Sequence, residues 1–313
     1  MKENSVKYQE NLEFVNCNLC EADDYEVVIP PKYDLAQPQN IVASFRSSGD
    51  EILIDQLVRC RQCGLLYLNP RLNQKIVEES YSSGADELFV SQNEARERTF
   101  TKSLNQIEQI VPQQGRILDV GTAGGTFLGV AKQQGWEVAG CEPNKWLAEW
   151  GSKKYGIEIK AGTIFDMRLH DAFFDVVTLW DVLEHTADPQ KVLAECNRVL
   201  KNNGILVVNY PDIKALVSRL MGKKWVFLLS VHLYYFTFET LKPMLEKNGF
   251  KIVVRKNYWQ RLELDYILFR MEKYLPVLPA FGRKIISFLR IKNLQIPYWL
   301  GQILILAQKT GNE

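Results

Sequence analysis

The stretch from Ile117 to Leu128, ILDVGTAGGTFL, constrains this chain more than any other. An apolar strand runs into Asp119, a turn holding Gly121, Gly124 and Gly125 follows, and an apolar-periodic helix begins. A second apolar run, Glu137 to Cys141, ends at Glu142, 23 residues beyond Asp119. Strand, glycine turn, helix, strand and terminal carboxylate open a Rossmann-like α/β unit, which holds an adenosine-containing ligand at its strand ends.

The glycine spacing selects among such ligands. A dinucleotide site needs G-x-G-x-x-G, and counting from Gly121 gives Gly121, Ala123 and Thr126. A methyl-donor site has the form D-x-G-x-G-x-G, met here by Asp119, Gly121 and Gly125 with Ala123 as the departure. Charge points the same way. A carboxylate at the strand end repels a pyrophosphate but suits S-adenosylmethionine (SAM), which has no phosphate and carries an ammonium group. Glu142 then stands where a carboxylate accepts both ribose hydroxyls. The methyl of Ala123 narrows the turn slightly and needs no positive φ if the backbone keeps an ordinary conformation. A nucleotide-free α/β domain is the alternative.

Later segments continue the alternation. Phe174 to Trp180 is a nearly continuous apolar strand, as buried parallel strands are. Asp181-Val-Leu-Glu184-His185 follows, and Asp188-Pro189 opens the next helix. Gly204 to Asn209 and Phe250 to Val254 read as strands, with a helix from about Glu239 to Asn248 stopped by Gly249. The run Ile303 to Ala307 suits an antiparallel strand closing the sheet.

Over roughly Phe100 to Lys309 the sequence resembles the class I SAM-dependent methyltransferases. The likeness is to a ubiquinone-type and small-molecule subgroup with segments such as LWDVLEH (Leu179 to His185) and HLYYFT (His232 to Thr237). The resemblance implies a Rossmann-like seven-stranded sheet whose last strand is antiparallel. It also implies cofactor contacts from Asp119, Gly121, Gly125 and Glu142, adenine contact near Thr163 and Ile164, and methionine-side contact from Trp180 and Asp181.

Cys17-Asn-Leu-Cys20 and Cys60-Arg-Gln-Cys63 form two C-x2-C pairs with 39 residues between them. Two such knuckles supply four thiolates for one tetrahedral, structural Zn2+. Gly64 fits the knuckle turn, and Glu51 to Leu57 offers a strand to bridge the pairs. Disulfides are the rival reading, but the chain begins MKENS without an apolar leader, so a cytoplasmic, reducing location is expected. Cys141 and Cys196 read as core residues. A zinc-ribbon-like module at 1–84 with its CxxCGLLYLNPR tail, Cys60 to Arg71, resembles that of sugar C-methyltransferases. A linking helix at 85–112 and a methyltransferase domain at 113–313 complete the division.

Residues 1–65 hold 11 acidic against 6 basic side chains, a poor balance for gripping nucleic acid. Residues 251–293 hold 10 basic against 3 acidic. Most of this segment lies in a helical insertion, 258–299, between the last two strands. Within it, 281–292 places apolar residues 285, 286, 288 and 289 beside Arg283, Lys284, Arg290 and Lys292. Such a helix either packs on its own domain or lies in a membrane interface, giving peripheral contact at the inner membrane surface. No apolar run reaches the roughly 18 residues of a membrane span.

Methyl transfer needs a base only where the acceptor loses a proton. His185 and His232 are the candidate catalytic groups, each with a structural alternative as a cap or loop pin; His170 reads as solvated. Tyr210, Trp225, Tyr234 and Tyr235 are candidate acceptor walls, or else core aromatics. The acidic-Pro-Pro-aromatic signature of many amide and adenine N-methyltransferases is absent after Trp180. The expectation is a zinc-containing SAM-dependent methyltransferase acting on a carbon or oxygen of a small or lipid-linked metabolite, with a nucleotide-linked sugar as the specific case. Two alternatives stay open: an isoprenoid-quinone or other lipid methyltransferase at the membrane surface, and a non-catalytic SAM-binding scaffold. The oligomeric state is left open.

Overall fold

A computed structural model describes residues 11–32, 52–73, 87–272 and 277–311, together with Ser82 and Ala85. The N-terminal part contributes β1 (Leu12–Glu13), β2 (Tyr25–Ile29), β3 (Leu57–Cys60), β4 (Leu66–Leu68) and β5 (Arg71–Leu72). The strand expected over Glu51 to Leu57 instead begins at Leu57; residues 52–56 run as non-strand chain, and Glu51 lies outside the described residues. The reason is that β3 pairs with β2 and β4 from Leu57 onward, whereas Leu53 and Ile54 bond to Leu228 and Ser230 of a distant loop.

A short helix α1 (Glu87–Val90) and a long α2 (Asn93–Glu108) lead into the main domain. Its elements are β6 (Arg116–Val120), α3 (Thr126–Gln133), β7 (Glu137–Glu142), α4 (Lys145–Tyr155), β8 (Ile159–Ala161), β9 (Phe174–Trp180), α5 (Pro189–Val199) and β10 (Leu200–Pro211). Then come α6 (Leu216–Met221), β11 (Tyr234–Tyr235), α7 (Phe238–Lys247) and β12 (Phe250–Asn257). The insertion supplies β13 (Gln260–Glu263), α8 (Leu264–Glu272), α9 (Val277–Phe288) and β14 (Gln295–Tyr298), and β15 (Gln302–Lys309) is the last element among the described residues.

The seven-stranded sheet runs β12-β15-β10-β9-β6-β7-β8. Strands β6 to β10 are parallel, while β15 is antiparallel to both β10 and β12. Its two faces fill two apolar clusters. One contains Leu118, Leu179, Leu206 and the cysteine-bearing strands; the other contains Ile117, Phe127, Val176 and Val207 under α2 and α3. Alternation along β6 and β10 distributes residues to opposite faces, which is why both strands read as unbroken apolar runs. Asp188 caps α5 by accepting from Lys191 N at 3.1 Å, with Pro189 in the first turn. Asn248 closes α7 and Gly249 follows at φ 75°.

The two parts of the molecule share a sheet. Strand β11 pairs with β4 at the edge of a four-stranded sheet ordered β11-β4-β3-β2. The cysteine-bearing strands thereby hold the segment that follows His232.

Leu206 is fully buried in central β10. Leu206→Ala is expected to lower unfolding stability by about 2–5 kcal/mol in urea titration, through lost burial plus a residual cavity.

Candidate active site and cysteine centre

The turn after β6 is the first component. Gly121, Ala123 and Gly125 have φ of 67°, 48° and 72°, so three alternate residues are left-handed. The expectation that Ala123 keeps an ordinary φ is therefore corrected. In that left-handed conformation its N–H donates to the Glu142 carboxylate, 2.8 Å away, a partner 19 residues along the chain. An added Cβ would lie 2.8 Å from Val182 Cγ2 at Gly121 and 2.7 Å from Ile159 Cδ1 at Gly125. Both glycines are needed for space as well as conformation.

Glu142 ends β7 almost fully buried, accepting from the backbone N–H of Ala123 and of Asn144, each at 2.8 Å. Asp119 is also buried and accepts from Thr178 Oγ1 at 2.6 Å. Burial pushes its carboxyl up to about 7, against that hydrogen bond. Asp119 thus braces β6 against β9 rather than standing open at the strand end. Thr163 is fixed by Asp166, whose Oδ2 accepts from its N–H and its hydroxyl, and Ile164 is buried. Trp180 packs against Phe100, Phe127 and Tyr258, and its buried Nε1 has no hydrogen-bond partner among the described residues. These features fit SAM: a left-handed glycine turn that leaves no side chain over the backbone at Gly121 and Gly125, a carboxylate at the tip of β7 and an orphaned indole donor on the adjacent β9.

The second component lies beyond β9. Asp181, at φ 51°, exchanges hydrogen bonds with Asn209: its N–H donates to Oδ1 at 2.9 Å and its Oδ1 accepts from Nδ2 at 2.6 Å. Gln260 Nε2, from the insertion, reaches Asp181 Oδ2 at 3.4 Å, and Tyr298 donates to Gln260. Burial raises the Asp181 carboxyl to about 6. Next, Glu184 is 1% exposed, and neither carboxylate oxygen has a hydrogen-bond partner among the described residues. Burial and then the neighbouring Asp181 push its carboxyl well above the usual carboxylate range, toward the neutral form.

His185 and His232 come together from segments 47 residues apart in sequence, their rings 4.6 Å apart edge to face. His185 Nδ1 lies 2.9 Å from the Val231 carbonyl. A carbonyl only accepts, so Nδ1 holds the proton and Nε2 keeps a lone pair. His185 has an accessible edge, yet the protein atoms around its ring desolvate it and lower its pKa to about 4. His232 is buried, with Nδ1 unpartnered among the described residues, and burial followed by the His185 charge lowers its pKa well below the usual value. Candidate donor atoms of Glu184, His185 and His232 all lie within 4.8 Å of one another. The trio is compatible with sharing a proton or accommodating a small cation.

Of the two readings open for the four aromatics, pocket wall or core, their burial matches the core one. Tyr210, Trp225, Tyr234 and Tyr235 are 0–2% exposed and belong to the packed interior. Trp225 Nε1 donates to Leu300 O, and the Tyr235 hydroxyl both donates to Leu229 O and accepts from Leu229 N. They buttress the loop bearing His232 because their large apolar area gains most from burial. Arg71 was missed as a site residue. It is 6% exposed and donates to Glu13, to the Tyr234 hydroxyl at 3.0 Å and to the Ala187 carbonyl at 3.1 Å. Those contacts fall two residues after each histidine. Only its place in the Cys60 to Arg71 tail marked it in sequence.

Cys17, Cys20, Cys60 and Cys63 converge, with Cys17 Sγ 3.4 Å from Cys63 Sγ and Cys20 Sγ 3.4 Å from Cys60 Sγ. All four are free thiols whose sulfurs lie within 4.8 Å of one another. Zinc bound at about 2.3 Å by four thiolates holds them at comparable separations. Gly64 turns the second knuckle at φ 77°, and Glu21 takes φ 67° in the first. The donor set fits structural zinc. Asn18, inside the first knuckle, donates to Asp188 at 2.9 Å and accepts from Gln190 N, anchoring the knuckle to the start of α5.

Residues 92–254, just over half the chain, match the sequence profile of the methyltransferase domain family. The chain belongs to this family. Among curated proteins, it is 30% identical over 124 residues to a ubiquinone biosynthesis O-methyltransferase of Cereibacter sphaeroides, covering 37% of this chain and 50% of that protein. It is 33% identical over 102 residues to an uncharacterized 37.1 kDa protein in transposon TN4556 of Streptomyces fradiae, covering 30% of each. The chain thus spans half or less of the length of these two relatives. A SAM-dependent methyltransferase from Archaeoglobus fulgidus superposes with TM-score 0.50 at 20% identity, over 72% of this chain and all of that one. That likeness shows the shared Rossmann-like fold.

The geometry makes two predictions. Ala123→Gly relieves a left-handed alanine and is expected to raise unfolding stability by roughly 1 kcal/mol, read by urea denaturation. The purified chain is expected to hold one zinc by elemental analysis, and Cys60→Ser to lose it together with protease resistance of the cysteine module.

Proposed function

We propose that this methyltransferase-family chain is a SAM-dependent enzyme that methylates a carbon or oxygen of a small metabolite, with His185 as the proton acceptor. Bound SAM would supply an electrophilic methyl group on its sulfonium and leave as S-adenosylhomocysteine. The Gly121–Gly125 turn and Glu142 bind it, while Asp119 keeps that turn in register by its hydrogen bond to Thr178. Asp181 and Asn209 fix the end of β9 beside the site.

The observation that carries the catalytic reading is the fixed tautomer of His185. Its Nδ1–H is committed to Val231 O, so Nε2 is the atom left to take the proton that the acceptor loses. His232 and Glu184 adjoin it, with donor atoms of the three side chains within 4.8 Å of one another. A structural zinc held by the four cysteines maintains the wall behind His232. The narrower reading of a nucleotide-linked sugar acceptor rests on the likeness of the Cys60 to Arg71 tail. The insertion surface described below instead favours a lipid-borne acceptor.

The test is transfer of labelled methyl from SAM into cell extract resolved into soluble sugar-nucleotide, lipid and RNA pools. Wild type is expected to label a small-molecule pool. His185→Gln is expected to reduce that label about 10²- to 10⁴-fold with SAM affinity by calorimetry unchanged. Full transfer by the variant would remove His185 from the mechanism, and SAM binding without transfer into any pool would favour the scaffold alternative.

A further inference from the structure

The insertion between β12 and β15 has one face that no part of the described chain covers. Phe281, Ile285 and Phe288 of α9, with Leu289 in the turn just past its end, follow the i, i+4, i+7, i+8 spacing that forms one stripe. The stripe points outward: these side chains are 63%, 44%, 87% and 55% exposed. The opposite side of the helix is the anchored one. Ile286 is buried, and Arg283 is spent inside the insertion on Asp265 at 3.0 Å and Glu272 at 3.2 Å. Arg283, grouped with the basic face by sequence, therefore belongs to an internal ion-pair network.

The charges beside the stripe are of one sign. Lys284, Arg290 and Lys292 are exposed and have no ion-pair partner among the described residues. From Lys273 to Asn312 the sequence contains no acidic residue at all. Nearby α6 repeats the combination on a smaller scale. Leu216 and Leu220, four residues apart, are 67% and 78% exposed, with Arg219, Lys223 and Lys224 exposed beside them. Gly301, just past β14, packs against Ala215 and Val217, so α6 adjoins the base of the insertion.

We infer that the outer face of α9 docks this protein on an anionic lipid surface, with the apolar stripe in the acyl boundary and Lys284, Arg290 and Lys292 among the headgroups. A surface rich in apolar side chains and lysine, with no acidic residue to be repelled, is complementary to anionic headgroups. Among the described residues no helix is long and apolar enough to cross a membrane, so the contact is peripheral. The same insertion reaches the cleft, since Gln260 of β13 contacts Asp181 and is itself held by Tyr298 of β14. Docking therefore sets the cleft beside the bilayer, and the acceptor is amphiphilic and drawn from it. That last step rests on the catalytic reading above; the docking does not.

The test uses the full chain and vesicles of phosphatidylcholine with or without phosphatidylglycerol. Cosedimentation is expected with the anionic vesicles, falling as salt is raised. Phe288→Glu combined with Leu289→Glu, both far from the core, is expected to lower it at least tenfold with the thermal melt and SAM affinity unchanged. Lys284→Glu with Lys292→Glu is expected to act the same way. No sedimentation with anionic vesicles, or equal sedimentation of the variants, would overturn the inference. So would self-association of the wild type that the Phe288/Leu289 variant abolishes without vesicle binding, which would give the stripe to a second copy. Label recovered only in the aqueous pool of the transfer assay would overturn the lipid-borne acceptor and leave the docking standing, whereas lost SAM binding would strike the catalytic reading alone.

Discussion

The pairing of β4 with β11 is the interaction on which the site depends. Leu66 and Tyr67 bond to Tyr235 and Tyr234, and Leu68 N donates to Leu233 O at 2.9 Å. The cysteine-bearing strands therefore form the wall that carries His232, instead of hanging beside the catalytic domain. Arg71 extends the same arrangement to the other histidine through Ala187 and Tyr234. A buried guanidinium with several hydrogen bonds holds its partners in one geometry, and losing it would leave those partners unsatisfied in the interior. Four thiols that share a metal would stiffen this wall from behind, so the cysteine module has a positioning role in the site even though it touches neither histidine.

Electrostatics explain why that wall must be firm. Glu184 and His232 are buried and His185 keeps an accessible edge, and surrounding protein drives each toward its neutral form, the carboxyl upward and the imidazoles downward. Charging any of them in place would be costly without a partner. The fixed tautomer of His185 leaves Nε2 as its one acceptor atom, and the nearby ends of β9 and β10 are tied by the Asp181–Asn209 pair. Asp119 and Glu142 show a different solution. They too are buried, but both are hydrogen-bonded, Asp119 to a hydroxyl and Glu142 to backbone N–H groups, and they serve as braces of the cofactor turn.

Several elements were legible from local pattern. The strand-turn-helix at 117–128, the capped start of α5 at Asp188-Pro189 and the stop of α7 at Gly249 each express rules that act within a few residues. The cysteine spacing announced four converging sulfurs for the same reason, since a C-x2-C knuckle is a local turn. Ala123 was misjudged because its left-handed φ accompanies a hydrogen bond to Glu142, 19 residues away. Tyr210, Tyr234 and Tyr235 were ambiguous because an aromatic residue reads alike in a pocket wall and in a core. Arg71 was marked only by its place in the Cys60 to Arg71 tail, and its burial was not legible because an arginine in a strand is ordinarily exposed.

The sequence by itself determined the sheet, the cofactor turn, the cysteine cluster and the two histidines as candidates, because hydrophobic periodicity and turn chemistry depend on neighbours along the chain. Tertiary structure alone decided that the histidines meet, that Glu184 lies unpartnered beside them, that Arg71 reaches both segments and that the stripe on α9 faces outward. Those outcomes depend on burial and on contacts between residues far apart in the chain. Desolvation and long-range hydrogen bonds exist only once the elements have packed.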